Sequence, residues 1–428
     1  MPEACVCVSS GGPDPISFML ASDLTGDDLV KTTAGASCMR LMPLDGLRGI
    51  AALVVLIHHS LSLIPALSAA YTVKPVSSDD PIAWMMVHTP LHLLWAGPEA
   101  VYVFFIISGI VLTLPVVRRD RFDWAAYYPK RLIRLYVPVI AAVLLTMLLF
   151  LLLRPEAPQE ASIWLKDRIV ASSMSAFGVL QDFTLIFGVS GVLGVLWSLS
   201  YEVWFSLLLP AFVWGAKTRP HLQWVKLAVL AVAILGGALK HQGWLVYVPM
   251  FAVGALIATE MDRLQAIVIR ISALSHSSLA YWGLCVVSLI LLMSYWLVLP
   301  FSPGYLTANA MLPVVFAGAV LFVLLSAFWD KAARPLNSRV AQWLGLISFS
   351  LYLVHVPIIM LAAVLLGPTL SWLAIPLSII GSLVMAWVFH LLVERPSHKL
   401  SQKVERLIQS RRVSNIDAPR RPRQPTEA

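Results

Sequence analysis

Two ionisable side chains lie eleven residues apart in the first long apolar segment of the chain. They are Arg48 and His59, and nearly all the residues between them are apolar. In a helix, eleven steps of 100° return to within about 20° of the same face, and the rise of 1.5 Å per residue separates the two by about 16 Å. His58 would point about 80° away from that face. The spacing predicts one helical face with a fixed cation at the membrane surface and an imidazole near the bilayer midplane.

Such a pair suits the transfer of a group from an anionic, phosphate-bearing donor. Arg48 would bind the donor at the cytoplasmic surface, and His59 would serve as the general base at its reactive end. The alternative interpretation is structural: Arg48 would only anchor the helix at the surface, and His59 would be a hydrogen-bonded core histidine. The shared face favours the chemical interpretation, because ionisable groups at membrane depth are costly and commonly functional.

Five more polar residues in later segments are candidates for the same site. Arg131 and Arg134 share a helical face at the start of the third apolar segment, where their guanidinium groups fit phosphate, although ordinary topology charges would look the same. Ser108 could carry or contact the donor's acyl group, but a Ser-Gly pair is also typical of a close helix contact. Glu202 and His355 lie inside later segments and should face protein or a watery cavity.

The composition identifies the class of protein to which these residues belong. Of the 428 residues, 59% are hydrophobic and only 13% are charged, and the mean hydropathy is +0.80. A soluble domain carries about 25% charged residues. Half that charge cannot cover the water-facing surface of so long a chain, which excludes a soluble globular protein, a disordered chain and a disulfide scaffold. The remaining class is an all-α polytopic membrane protein.

The apolar stretches predict ten transmembrane helices with both termini in the cytoplasm. Each stretch is close to the ~20 residues that cross a bilayer. They lie at about 49–67, 98–117, 133–153, 195–215, 225–239, 244–260, 279–299, 310–328, 346–366 and 371–393. With this topology the cytoplasmic segments hold 26 Lys and Arg residues and the outer segments hold five. The net charge of +8 therefore reports orientation and not a nucleic-acid partner.

The domain organisation follows from the same pattern. Residues 1–43 are predicted to be a flexible cytoplasmic leader, because they lack the basic start and long apolar core of a signal peptide. Residues 44–400 form the membrane domain, and residues 401–428 form a basic cytoplasmic tail. The loops at 68–97 and 154–194 are the expected regions for acceptor recognition. No metal site and no permanently bound cofactor are predicted, and the four cysteines are assigned no role.

Taken together, these residues resemble the membrane-bound acyltransferase-3 family, a family of integral membrane O-acyltransferases. The resemblance covers about Leu44 to Leu400. Its motifs are Arg-x10-His at Arg48 and His59, FFxxSG at Phe104–Gly109, RxxR at Arg131 and Arg134, WSLSxE at Trp197–Glu202, SxYLxH ending at His355, and Glu-Arg-Pro at Glu394–Pro396. We read this last motif as a helix end with a local ion pair. Val203 and Tyr102 occupy positions where the family usually has acidic residues, and both departures concern the acceptor pocket.

The resemblance implies transfer of an acyl group, by default acetyl, from cytoplasmic acyl-CoA to a hydroxyl group. The acceptor would be a polysaccharide, a lipid-linked sugar, a macrolide or another alcohol, and the protein would lie in a bacterial inner membrane. Glu202 and His355 would bind the acceptor or orient His59. The partners are thus acyl-CoA, the hydroxyl acceptor and the lipid bilayer, without nucleic acid.

Two other functions compete with this interpretation. A transporter of acylated sugars or small anions would explain the buried polar residues equally well, although no paired repeats with broken helices are visible in the sequence. A sensor or scaffold descended from acyltransferases is the third possibility. The intact pair of Arg48 and His59 argues against it, because an inactive relative would be free to lose either residue.

Overall fold

The computed structural model describes residues 5–7, 38–72, 75–156, 158–171, 175–191, 193–273, 277–367 and 370–417. Nearly all of them are helical. Two short antiparallel strands, β1 (Cys5–Cys7) and β2 (Cys38–Arg40), pair before the first long helix. Most of the predicted leader and the end of the predicted tail lie outside the described residues, so the flexibility of the leader stays a prediction.

The α-helices alternate between long apolar helices and short connecting ones. In chain order they are α1 (Met42–Leu61), α2 (Pro65–Ala69), α3 (Pro81–His88), α4 (Gly97–Val117), α5 (Trp124–Leu153), α6 (Ile163–Ala171), α7 (Ala176–Thr184), α8 (Leu196–Leu207) and α9 (Leu209–Lys217). They continue with α10 (Gln223–Leu239), α11 (Gly243–Thr259), α12 (Met261–Ser272), α13 (Ser277–Val298), α14 (Tyr305–Phe328), α15 (Asp330–Leu336), α16 (Arg339–Leu366), α17 (Ser371–Phe389) and α18 (Arg395–Asp417). Short 3-10 turns lie at Ala70–Thr72, Pro90–Trp95 and Pro220–Leu222, and a π-helical turn at His390–Glu394 joins α17 to α18.

The predicted all-α polytopic fold is confirmed. Eight helical segments of the described chain are long and apolar enough to cross a membrane. Two further pairs, α8 with α9 and α11 with α12, meet this criterion together but are bent by 65° and 68°. If each bent pair is one span, the number is the predicted ten.

Two predicted helix boundaries are wrong, and proline explains both. The first helix ends at Leu61 and not at 67, because Ile64 takes the extended backbone that a following proline favours. The last span does not end at Glu394. Pro396 lacks an N–H and cannot bond to the fourth residue before it, but the π turn before it shifts the bonding pattern and the chain stays helical to Asp417.

The chain forms two compact units, and each contains several of the motifs. Unit 1 comprises Met1–Asp120, Gln159–Lys166 and Tyr201–Phe349. In it α4 packs against α1, α11 and α14, and α13 pairs with α14. Unit 2 comprises Arg121–Pro158, Asp167–Ser200 and Ser350–Ala428. In it α5 packs against α7, the π turn and α18.

Two glycines bring the first helix of unit 1 into backbone contact with its neighbours. A Cβ on Gly46 would overlap the carbonyl of Leu336, and one on Gly49 would overlap the backbone of Gly345. Gln342 adds two hydrogen bonds from Nε2, to the carbonyl of Met42 at 2.8 Å and to that of Leu336 at 2.9 Å. The start of α1, which carries Arg48, is therefore held against α15 and α16.

We expect Gly49→Ala to lower the free energy of unfolding by about 1–3 kcal/mol, because the three atoms nearest to its Cβ all belong to the backbone. The matched control is Gly236→Ala, also inside a helix, where no atom lies within 4 Å of the added Cβ. That change should raise the free energy of unfolding by up to about 1 kcal/mol, because alanine has a higher helix propensity than glycine. Unfolding of both variants in the same detergent measures the difference, and equal effects would contradict the close contact of α1 with α16.

Candidate active site

In unit 1, the predicted pair Arg48 and His59 lies on a single unbroken helix. Both side chains are half-buried in α1, while most residues between them are buried or partly buried. The predicted common face therefore has the helix that it requires. His59 lies in the last turn of this helix, two residues before its end, where the sequence predicted the middle of a longer helix.

The imidazole of His59 is in contact with two aromatic rings. It stacks on the indole of Trp164, with ring centroids 5.5 Å apart and planes 28° apart, and it meets the ring of His58 edge-on at 4.9 Å. Trp164 is fixed in turn, because its backbone N–H donates to Ser68 Oγ at 3.0 Å. Sequence reasoning missed Trp164, although it lies in the loop that we expect to bind the acceptor.

The neighbouring His58 has a different environment. Its side chain is buried, and its Nδ1 lies 3.1 Å from the carbonyl oxygen of Trp95, so the Nδ1 carries the hydrogen and donates it. Its ring stacks on Trp95 at 5.8 Å, and it fills the space that a Cβ on Gly97 would need. His58 thus packs the end of α1 against the segment that precedes α4.

His92 and Trp95 of that segment form an aromatic cluster with Tyr71 and Trp296, beside His58. The rings of His92 and Trp296 are 4.1 Å apart, and those of Tyr71 and Trp296 are 4.9 Å apart. Burial, followed by the nearby His58, lowers the pKa of His92 to about 3. His92 is therefore neutral at physiological pH, as a histidine among buried rings should be.

Glu99 is a buried acid that sequence reasoning missed. It lies in the first turn of α4 with 6% of its surface exposed, and its Oε1 accepts a hydrogen bond from Trp296 Nε1 at 2.7 Å. Its Oε2 is buried and has no hydrogen-bond partner among the described residues. Tyr102, where the family usually has an acid, is one turn later on the same face. The rule that ionisable groups in apolar segments are functional candidates would have found Glu99, but the residue lies at the segment's edge.

We expect Trp296→Phe to lower the free energy of unfolding by about 1–3 kcal/mol, because it removes the donor to a buried carboxyl group. The same change should cost less in a Glu99→Leu background, where that carboxyl group is absent. A double-mutant cycle by thermal unfolding measures the difference and cancels the change of ring volume. Additive effects in the cycle would contradict the hydrogen bond.

The other two candidates of unit 1 lie on helices that pack through aromatic and small residues. Ser108 is half-buried on α4, beside Gly109, where a Cβ would overlap the backbone of Phe251 and approach Gly254. Gly109 therefore makes the close helix contact that we considered for the Ser-Gly pair. Glu202 is half-buried on α8, directly after Tyr201, whose ring lies 5.0 Å from that of Tyr247 on α11.

In unit 2, hydrogen bonds join three of the motifs. Ser198 of WSLSxE lies 2.6 Å, Oγ to Oη, from Tyr352 of SxYLxH. Ser350 of SxYLxH donates to Glu394 Oε2 at 2.6 Å. His355 is 1% exposed, and its Nδ1 lies 2.9 Å from the carbonyl oxygen of Leu351. His355 is thus a buried residue of the core of unit 2.

The two arginines of the RxxR motif are also in unit 2, both half-buried on α5. Arg134 Nε donates to His398 Nε2 at 3.0 Å. Helix α18 makes two more contacts near the motif, an ion pair between Glu405 and Lys130 at 2.6 Å and a hydrogen bond from Ser397 Oγ to the carbonyl of Ile133 at 3.0 Å. The first residues of the predicted tail therefore pack on α5 as part of a helix.

The Glu-Arg-Pro motif differs from its prediction as a helix end with a local ion pair. The helix continues, and Glu394 accepts its hydrogen bonds from Ser350 and from His390, whose Nδ1 lies 3.0 Å from Oε2. Glu394 is 1% exposed.

The two units divide the predicted site residues between them. Unit 1 contains Arg48, His59, Ser108 and Glu202, and unit 2 contains Arg131, Arg134 and His355.

Comparison with known proteins agrees with these motifs. A family model described as an acyltransferase domain matches residues 44–391. Nodulation protein 10 of Rhizobium leguminosarum bv. viciae is 25% identical over 341 residues, which are 74% of this chain and 88% of that protein. The acyltransferase MdmB of Streptomyces mycarofaciens is 25% identical over 392 residues, or 85% of this chain and 92% of that protein. No solved structure gives a significant match.

Proposed function

Because the chain belongs to the acyltransferase-3 family of membrane acyltransferases, we propose that it transfers an acyl group from cytoplasmic acyl-CoA to a hydroxyl group. The acyl group is acetyl, and the acceptor is a carbohydrate or another alcohol. The observation that supports this most directly is the placement of Arg48 and His59 on one unbroken helix, with the imidazole against an indole. A transporter has no comparable support, since the chain is a multi-pass acyltransferase.

The reaction needs one base and one acid, and a histidine can serve as both. His59 removes the proton from the acceptor hydroxyl as its oxygen attacks the thioester carbonyl. The tetrahedral intermediate collapses, the carbon–sulfur bond breaks, and the imidazolium returns the proton to the departing thiolate. The products are an ester and free CoA, and the histidine ends in its starting state. The neutral imidazole is the form that accepts the proton.

The arginines supply the charge that the donor requires. Arg48, Arg131 and Arg134 bind the phosphates or the pantetheine end of acyl-CoA, for which a guanidinium fork is well suited. Glu202 and His355 bind the acceptor or orient His59. Ser108 is the residue that would carry the acyl group if the reaction used a covalent intermediate. Acyl-CoA is a substrate in this mechanism, and the protein keeps no permanent cofactor.

The orientation follows from the charges of the segments between the helices. With 26 basic residues on one side and five on the other, both termini face the cytoplasm. We place the protein in the inner membrane of a bacterial cell, where the donor is available from the cytoplasm. The acceptor is recognised by the outer loops, of which one supplies the Trp164 ring beside His59.

The test is a transfer assay with the full chain purified into lipid nanodiscs. Acetyl-CoA should be consumed and its free thiol released when a hydroxyl acceptor is present. Glycans and lipids from cells with and without the gene identify that acceptor by mass spectrometry, as a species heavier by one acyl group. Unchanged glycans and lipids, together with no thiol release by the purified protein on acceptors from the same cells, would contradict the proposal.

A further inference from the structure

Unit 2 contains a buried polar cluster that the proposed reaction does not use. We call it the Glu394 cluster; it consists of Ser350, His390, Glu394 and His398, and Arg134 contacts it. The π-helical turn His390–Glu394 carries two of its members, and such turns are frequent at functional sites. The cluster lies directly beside the RxxR motif.

The hydrogen bonds determine where the protons of this cluster lie. Arg134 is always protonated, so its Nε must donate and His398 Nε2 must accept. His398 is therefore neutral, with its hydrogen on Nδ1. His390 Nδ1 and Ser350 Oγ both face Glu394 Oε2 and both donate to it. One oxygen of the carboxylate thus receives two donors.

The other oxygen of Glu394 lies near His398. Glu394 Oε1 is buried, has no hydrogen-bond partner among the described residues, and lies 3.9 Å from His398 Nε2, the atom that accepts from Arg134. A buried carboxylate is tolerated when an opposite charge compensates it. The cation of Arg134, which donates to the same nitrogen of His398, provides that charge.

The cluster is not needed to attach helix α18 to α5. The ion pair between Lys130 and Glu405 and the hydrogen bond from Ser397 to Ile133 already join the two helices, through residues before and after His398 on α18. The contact with His398 adds a fixed orientation of the Arg134 guanidinium. A guanidinium held by its Nε has a fixed plane, and that plane determines how the rest of the group can meet a phosphate.

We propose that Glu394 is a positioning residue for Arg134. Its negative charge lies beside His398 Nε2, the atom that accepts from Arg134, and holds the guanidinium in the plane in which it binds the phosphates of the acyl donor. The inference rests on the proposed role of Arg134 in donor binding. Glu394 itself does not touch the donor.

The test measures binding of CoA to the full chain in nanodiscs by titration calorimetry. Glu394→Gln keeps an acceptor for Ser350 but removes the charge. It should weaken CoA binding about tenfold, which is the size of effect that one residue in contact with another usually has on its interactions. In an Arg134→Ala background the same change should have no further effect. The matched control is Ser397→Ala, which removes a buried hydrogen bond between the same two helices and should leave CoA affinity unchanged.

The same protein preparations distinguish positioning from packing. Pantetheine, which lacks the phosphates, should bind equally to the parent chain and to Glu394→Gln. His398→Phe provides a second variant that removes the acceptor for Arg134, and it should reproduce the loss of CoA affinity. Equal weakening by Glu394→Gln with and without Arg134, or no weakening at all, overturns the proposal. If the parent chain does not bind CoA, the proposed donor is wrong. If the parent chain binds CoA but Glu394→Gln binds it equally well, only the role of Glu394 is wrong, so the two failures are distinguishable.

Discussion

His59→Ala should reduce the rate of acyl transfer by about 10²–10⁴-fold, the usual contribution of a general base. The ring is half-buried at the end of α1 and rests on Trp164, so its removal should leave the packing of that helix in place. Initial rates of thiol release from acetyl-CoA, with a fixed acceptor, measure the loss. The thermal unfolding temperature of the variant should stay close to that of the parent chain.

His58→Ala is the matched control, since it removes the same side chain one residue earlier. The buried ring of His58 packs on Trp95 and donates to its carbonyl, so this variant should unfold at a lower temperature. Its activity per folded molecule should fall much less than that of His59→Ala. An equal loss of activity at unchanged stability would move the general base to His58, and normal transfer by His59→Ala would exclude His59 as the general base.

The difference between these two histidines shows what the sequence can and cannot predict. The helical repeat separates their faces, because it depends only on local geometry. It does not indicate that His58 meets Trp95 or that His59 meets Trp164, since those partners come from segments far along the chain. Such contacts depend on the tertiary arrangement of loops, which no periodicity encodes.

The same distinction explains the fold as a whole. Long apolar stretches must form helices in lipid, because no other backbone arrangement short of a closed barrel satisfies its own hydrogen bonds there. For this reason the ten stretches were predictable. The bends within two of them, at 65° and 68°, and the extension of the last helix past Pro396 were not, because tertiary packing decides whether a helix breaks or adapts at such a point.

Glu99 and Glu394 are two acids whose burial the structure reveals and the sequence did not predict. Both carboxyl groups are almost fully buried, both have one oxygen that accepts a hydrogen bond from a side chain, and both have a second oxygen with no such partner in the described part of the chain. In the sequence each lies at the edge of an apolar stretch, where a carboxylate is expected to face water. Burial at those positions is a tertiary property, and it identifies them as residues to mutate.

Arg48→Ala should lower kcat/KM for acetyl-CoA by about 10- to 150-fold, which corresponds to the loss of about 1.5–3 kcal/mol in hydrogen bonds to a charged group. Most of the effect should appear as a higher KM, because Arg48 binds the donor and takes no part in proton transfer. Arg48→Lys should restore part of the affinity, since it returns the charge without the planar fork. Initial rates over a range of acetyl-CoA concentrations separate KM from kcat.

Arg118→Ala is the control that separates donor binding from the general effect of losing a basic residue. Arg118 is also in unit 1, is predicted on the same cytoplasmic side, and pairs with the exposed Asp262, so its removal should cost at most about 1 kcal/mol of stability and leave KM unchanged. Arg48 differs because Gly46 and Gly49 hold its turn of helix against backbone, which fixes the main chain from which its side chain extends. If Arg48→Ala raises KM no more than Arg118→Ala does, Arg48 is a topology anchor, and the donor's charge must be met by Arg131 and Arg134 alone.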